Sequence, residues 1–144
     1  MFIGEFTHSI DNKKRLAIPS RFRKELGEKA VLTRGLDNCL FLYPFQEWEK
    51  FSEKLGQLSM GQANTRSFAR LMLAGASEVE FDNLGRILIP DYLKNYAELK
   101  KKIVVAGVLN RLEIWDKDAW EEYKKEIEKN TDVIAEKLGE LGLI

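Results

Sequence analysis

A nine-residue segment near the N-terminus of this chain occurs again in its second half, and this internal repeat restricts the possible folds more than any other feature. Asp11–Pro19 reads DNKKRLAIP and Asp82–Pro90 reads DNLGRILIP, with Asp, Asn, Arg, Ile and Pro at identical places. Two more matches follow in the same order, namely Gly35–Tyr43 with Gly107–Trp115, and Trp48, Phe51 and Leu55 with Trp120, Tyr123 and Ile127. Three matches in one order indicate two copies of a single structural unit.

Each copy is predicted to fold as strand, turn, strand, short helix, two strands and a helix. Residues 6–10 alternate between apolar and polar side chains, the Asp-Asn pair at 11–12 favours a turn, and the alternation resumes at Leu16, so a β-hairpin is expected. The second copy has Gly85 where the first has Lys14. Because a positive φ costs glycine little, the first turn is expected to be either more strained than the second or slightly different in type.

The repeat divides the chain into four predicted parts. The first β-rich repeat with its helix occupies residues 1–58, and the second occupies 76–130. Between them, 59–75 is predicted as a linking helix because Phe68, Leu71 and Met72 share one helical face. Residues 131–144 are predicted as a C-terminal amphipathic helix that packs on its own chain or on a neighbour.

The charges are unevenly placed, although the net charge is zero. Residues 1–24 hold six basic and two acidic side chains, whereas 113–140 hold five basic and ten acidic ones. The N-terminal part can therefore bind an anion that the C-terminal part would repel. This asymmetry favours a polyanionic partner for the first repeat.

The residue types in this chain give no support for metal binding, catalysis or membrane insertion. The chain has one cysteine, Cys39, and one histidine, His8, too few for a disulfide framework or a zinc site within one chain. We expect no metal, cofactor or small-molecule substrate, and no enzyme activity, because phosphate-binding glycine loops and catalytic triads are missing. No apolar run approaches the roughly 18 residues of a membrane span, so a cytoplasmic protein is expected.

The repeated Asp-Asn-x-x-Arg-x-x-Ile-Pro motif, together with Leu42–Pro44, Ile114–Asp116 and the overall length, resembles the MraZ family over nearly the whole chain. The resemblance implies an α+β fold, a double-split β-barrel made of two tandem swapped-hairpin modules of the SpoVT-AbrB type with flanking helices. It also implies a nucleoid-associated transcriptional regulator that forms ring-shaped homo-oligomers. Such a regulator would bind double-stranded DNA repeats upstream of the division and cell-wall gene cluster.

The family's DNA-contacting signature falls on Asp11, Lys13 and Arg15 in the first repeat and on Asp82 and Arg86 in the second. From the residues themselves, we expect each aspartate to accept backbone N–H bonds in its turn and to hold its arginine at a fixed angle. Arg15 is the predicted base-reading residue. The neighbouring basic side chains are predicted to contact phosphates, namely Lys13, Lys14, Arg21, Arg23 and Lys24.

Two alternatives remain at this stage. Both Asp/Arg pairs are compatible with simple hairpin salt bridges, worth about 0 to 1 kcal/mol when exposed. Leu84 stands where the first repeat has Lys13, so the second turn has the weaker case for DNA contact. The runner-up function is a protein-interaction module, such as the antidote half of a toxin pair, although the patterned C-terminal helix differs from the disordered tail typical of such antidotes.

Overall fold

The computed structural model describes residues 1–142, and all structural statements below refer to these residues. The two C-terminal residues of the predicted helix 131–144 lie outside that range. Residues 1–142 form eight strands and six α-helices. In the first half these are β1 (Phe2–Ser9), β2 (Arg15–Ala17), α1 (Ser20–Leu26), β3 (Lys29–Arg34), β4 (Leu40–Pro44), α2 (Phe45–Gly56) and α3 (Ala63–Ala69). In the second half they are β5 (Ser77–Glu80), β6 (Arg86–Leu88), α4 (Asp91–Tyr96), β7 (Lys102–Leu109), β8 (Arg111–Asp116), α5 (Lys117–Lys129) and α6 (Thr131–Glu140).

Six strands form one antiparallel sheet in the order β1-β7-β8-β4-β3-β5, and β2 and β6 form a separate two-stranded ribbon. The expected mixture of helices and antiparallel strands, present as two tandem repeats, is confirmed. The large sheet is open rather than a closed barrel, because β1 and β5 are its two edges. Each repeat contributes its β3–β4 or β7–β8 hairpin to the middle of the sheet, where β4 pairs with β8.

The first strand of each repeat pairs with the other repeat. β1 pairs with β7 along its whole length, and β5 pairs with β3. The predicted hairpin ladder between β1 and β2 is therefore wrong: Ile10, just after β1, forms an isolated bridge with Leu16, and the Asp11 N–H donates to the Arg15 carbonyl at 3.0 Å, while β2 pairs with β6. The local turn chemistry was read correctly, but pairing across the repeats buries more strand surface than a three-residue hairpin strand offers.

Alternate residues of the central strands enter two cores on opposite faces of the large sheet, as the two-residue period of a strand requires. On one face, Leu40 and Leu42 join the buried residues of the ribbon and of α1 and α4. On the other face, Phe41 and Tyr43 pack with the aromatic side chains of α2. Burial of each such side chain stabilises the fold by roughly 1.5–3 kcal/mol. The ribbon is thus fixed to one face of the sheet.

The linking segment forms α3 followed by a π-helical turn over Arg70–Ala74, close to the predicted helix. The wider turn has an identifiable partner: the Thr33 hydroxyl donates to the Met72 carbonyl (2.7 Å), and an Arg34 Nη1–H donates to the Leu71 carbonyl (3.2 Å). Side chains that capture helical carbonyls commonly interrupt a regular α-helix. The linker is therefore attached to β3 of the first repeat.

The C-terminal helix α6 has no buried residue. Its apolar side chains Val133 and Ile134, and Leu141 just after it, are exposed, as are Tyr123 and Ile127 on α5. Of the two packing possibilities left open by the sequence, close packing of α6 on its own chain is not what the structure shows. An apolar stripe therefore remains on the surface of the single chain.

Candidate nucleic-acid interface

The first turn is organised around the carboxylate of Asp11. Its Oδ1 accepts the backbone N–H groups of Lys13 and Arg15, both at 2.9 Å, and its Oδ2 accepts the Nε–H of Arg15 at 2.8 Å. Backbone hydrogen bonding from Arg15, with further help from its guanidinium, holds the pKa of Asp11 below its ordinary value. The carboxylate thus shapes the turn and fixes the direction of Arg15 at the same time, as the sequence predicted.

The second turn repeats this geometry. Asp82 Oδ1 accepts the backbone N–H groups of Leu84 and Arg86, both at 2.9 Å, and Oδ2 accepts the Arg86 Nε–H at 2.7 Å. The pKa of Asp82 is also lowered, again chiefly by the backbone hydrogen bond from Arg86. Both predicted Asp/Arg pairs are confirmed as contacts.

The two turns require the same backbone conformation at one position. Lys14 has φ of 62° and Gly85 has φ of 74°. The left-handed region is unfavourable for a residue with a side chain, by about 1–2 kcal/mol. The first turn is accordingly the more strained of the two, as the presence of Lys14 in place of glycine predicted.

Pairing between β2 and β6 brings the two turns together on one side of the molecule. Arg15 lies opposite Leu88, and Ala17 opposite Arg86. The Nη1 of Arg86 is 3.7 Å from Oδ2 of Asp11, so one carboxylate faces both arginines. With their side chains 33% and 25% exposed, Arg15 and Arg86 are held by the turns but still reach solvent. The result is a pair of oriented guanidinium groups on one surface.

The other predicted basic residues fall into two groups. Lys13, Arg21 and Lys24 are exposed and surround the first turn and α1. Lys14 forms an ion pair with Asp91 at the start of α4. Arg23 is half-buried: its Nε–H donates to the Ile18 carbonyl at 3.1 Å. Its guanidinium also lies where a Cβ on Gly85 would be, so it supports the second turn directly.

Sequence reasoning missed a group of lysines that the fold places beside the first turn. Lys94, Lys100 and Lys101 line a cleft with residues 10–12 and Lys14. They belong to the second repeat, and the pairing of β1 with β7 and of β2 with β6 brings them close. No local motif signals this proximity. The proximity of these lysines to the first turn could have been inferred from the repeat only by assuming that its two copies exchange strands.

Within residues 1–142, no helix has the length and apolar character needed to cross a lipid bilayer.

The chain matches one family model twice, over residues 1–71 and 72–139, and that family is described as "MraZ protein, putative antitoxin-like". A protein from Alkaliphilus metalliredigens is 48% identical over 143 residues, covering 99% of this chain and 100% of the relative. One from Pediococcus pentosaceus is 53% identical over the same coverage, and one from Moorella thermoacetica is 51% identical over 96% of each chain. All three are named "Transcriptional regulator MraZ". Matches of this extent to both repeats show that the chain belongs to the MraZ family.

Proposed function

We propose that this chain is a sequence-specific DNA-binding transcriptional regulator that acts as a homo-oligomer on repeated promoter sites. The observation that carries the proposal is the pair of guanidinium groups, Arg15 and Arg86, each held by a turn aspartate and both on one face. A guanidinium in a fixed orientation can donate two parallel hydrogen bonds to guanine O6 and N7 in the major groove. The names of the full-length relatives support the regulatory role.

In this proposal the basic side chains have two roles. Arg15 and Arg86 contact base edges, with Asp11 and Asp82 as their positioning residues. The other basic side chains around them contact phosphates, which fix the register of the protein on the duplex. These are Lys13, Lys14, Arg21, Lys24 and the Nη groups of Arg23 that remain after its bond to Ile18.

Oligomerisation follows from the small size of this surface. A single chain offers few phosphate contacts, and linking several chains on repeated sites multiplies a weak affinity without new contacts. The exposed apolar side chains of α5 and α6 are the proposed subunit interface. We propose that the assembly is a ring, that it acts at the nucleoid, and that its targets include the promoter of the division and cell-wall gene cluster, as the family resemblance suggested.

We also propose that the two repeats are swapped-hairpin modules of the SpoVT-AbrB type in a double-split arrangement. The mutual exchange of β1 and β5 between the repeats supports this assignment. The pairing of β2 with β6 across the repeats supports it as well.

Selection of bound fragments from random duplex DNA, followed by gel-shift titration, tests the function. Arg15→Ala is expected to lower affinity for the selected duplex at least tenfold, because a bidentate contact worth about 1–3 kcal/mol is lost in every protomer of the oligomer that binds the duplex. The mass of the oligomer in solution should not change. Unaltered binding by Arg15→Ala would refute the proposed role of this turn.

A second candidate is a protein-interaction module of the antidote type, favoured by the words "antitoxin-like" in the family description. Antidotes of this kind use a disordered tail, whereas Thr131–Glu140 is helical here. Limited proteolysis distinguishes the two. Rapid removal of the residues after Asn130 would favour the antidote, and resistance would favour a helix that assembles with neighbouring subunits.

A further inference from the structure

The pairing of β1 with β7 places four lysines of the second repeat beside the first turn. The Ile10 N–H, one residue before Asp11, donates to the Lys101 carbonyl at 2.9 Å. Lys94, Lys100 and Lys101 line a cleft with Asp11, and Lys102 follows at the start of β7, opposite Ser9. We call Lys94, Lys100, Lys101 and Lys102 the lysine shelf.

The charges of the lysine shelf are available to a ligand. Lys101 and Lys102 are exposed, and among the described residues neither forms an ion pair within 4.0 Å. Lys100 has a side chain 73% exposed, and its ammonium lies 3.7 Å from Asp116, which leaves most of the group hydrated. Several ammonium groups on neighbouring positions produce a positive potential that attracts an anion with repeated charges.

The equivalent cleft in the other half has a less positive lining. There a second cleft is lined by Arg23, Gly27, Glu28, Lys29, Glu80 and Phe81. Strand pairing sets Lys29 opposite Glu80, whereas Lys102 is opposite Ser9. Two positive and two negative side chains therefore share the second cleft, so the linings of the two clefts differ in charge although the clefts are related by the repeat.

We infer that the lysine shelf binds the backbone phosphates of the same duplex that Arg15 reads, so that residues of the second repeat extend the phosphate contacts of the first turn. The inference rests on the proposed function and extends it to residues outside the repeated motif. A lysine ammonium is a compact charge on a flexible stem, suited to phosphates rather than to base edges. The shelf therefore contributes affinity without sequence preference.

The test compares Lys101→Gln/Lys102→Gln with the wild-type full-length chain on two probes, a mixed-sequence duplex and a duplex selected by the protein. The double variant is expected to lose roughly tenfold in affinity for both probes, and the slope of log K against log salt should fall by about two. The ratio of the two affinities should not change. Arg15→Ala should instead reduce that ratio.

Lys29→Gln is the matched control for Lys102→Gln, because the two lysines occupy equivalent places at the starts of β3 and β7. It is expected to leave affinity and salt slope unchanged, and circular dichroism should show that all variants are folded. Equal losses in Lys29→Gln and Lys102→Gln would overturn the lysine-shelf inference in favour of general electrostatics.

Three other outcomes also decide the matter. Wild-type affinity and slope in the double variant would refute the shelf while leaving the proposed function intact. A collapsed selectivity ratio in the double variant would show that these lysines do not act as phosphate contacts. If the wild-type chain binds neither probe, both the shelf and the proposed function fail.

Discussion

At the scale of single residues, the two turn aspartates determine what the surface can do. An aspartate near a polyanion is unfavourable by charge alone, yet Asp11 and Asp82 each accept three hydrogen bonds that fix a turn and its arginine. If these aspartates act by positioning the arginines, their removal should weaken DNA binding. If their negative charge dominates, removal should strengthen DNA binding.

Asp11→Ala is expected to weaken binding of the selected duplex by roughly tenfold, because Arg15 loses its fixed direction and must be ordered on binding. Asp11→Asn should be intermediate, since its amide oxygen still accepts the backbone N–H groups. Asp82→Ala is the matched variant of the second turn. Fluorescence anisotropy measures all three, and tighter binding by Asp11→Ala would mean that charge, not positioning, dominates.

The carboxyl groups of Asp11 and Asp82 are expected to titrate below the ordinary aspartate value of 3.8, because backbone hydrogen bonds from Arg15 and Arg86 lower the folded pKa. A lowered folded pKa means that the carboxylate's contribution to stability is fully present above pH 3.8. It is lost as the pH falls through the folded value. Carbon-13 NMR of the side-chain carboxyls follows this titration, and midpoints at or above 3.8 would contradict the hydrogen bonding described.

Gly85→Ala is expected to destabilise the fold by about 1–3 kcal/mol. Part of the cost comes from the positive φ of 74°, and part from Arg23, whose guanidinium must move away from the new Cβ and give up its hydrogen bond to the Ile18 carbonyl. Gly56→Ala, where no atom lies within 4 Å, is the control and should cost nothing. Urea denaturation measures each variant. If Arg23→Ala fails to offset part of the Gly85→Ala loss, the contact is not the cause.

At the scale of strands and helices, local chemistry was predictable from sequence and long-range pairing was not. The Asp-Asn turns, the Asp/Arg contacts and the strain at Lys14 follow from a few neighbouring residues. The prediction of a β1–β2 hairpin was wrong because β1 pairs with β7 and β2 pairs with β6, both in the other repeat. The lysine shelf was missed for the same reason, since Lys101 is 90 residues from Asp11 in sequence.

At the scale of the whole molecule, the exchange of strands makes the two repeats one folding unit. β1, β2 and β3 pair with β7, β6 and β5, so each half leaves strand edges and core residues exposed when separated. Unpaired edges of this kind associate with other chains. Residues 1–71 and 72–144 made as separate chains are therefore expected to be unfolded or self-associated, and to form the native sheet when mixed.

Circular dichroism and size-exclusion chromatography of the separate and mixed halves test this expectation. A folded, monomeric single half would show that the pairing between repeats is not required. Equal mixtures that regain the full-length spectrum would support the shared sheet.

The central claim is that Arg15 and Arg86 together meet one face of a duplex. The most direct measurement is a cryo-electron microscopy structure of the assembled protein on its selected duplex. In that complex we expect both guanidinium groups to lie within hydrogen-bonding distance of DNA, about 2.7–3.2 Å, while each remains hydrogen-bonded to Asp11 or Asp82. Turns buried between subunits, or facing away from the duplex, would contradict the account.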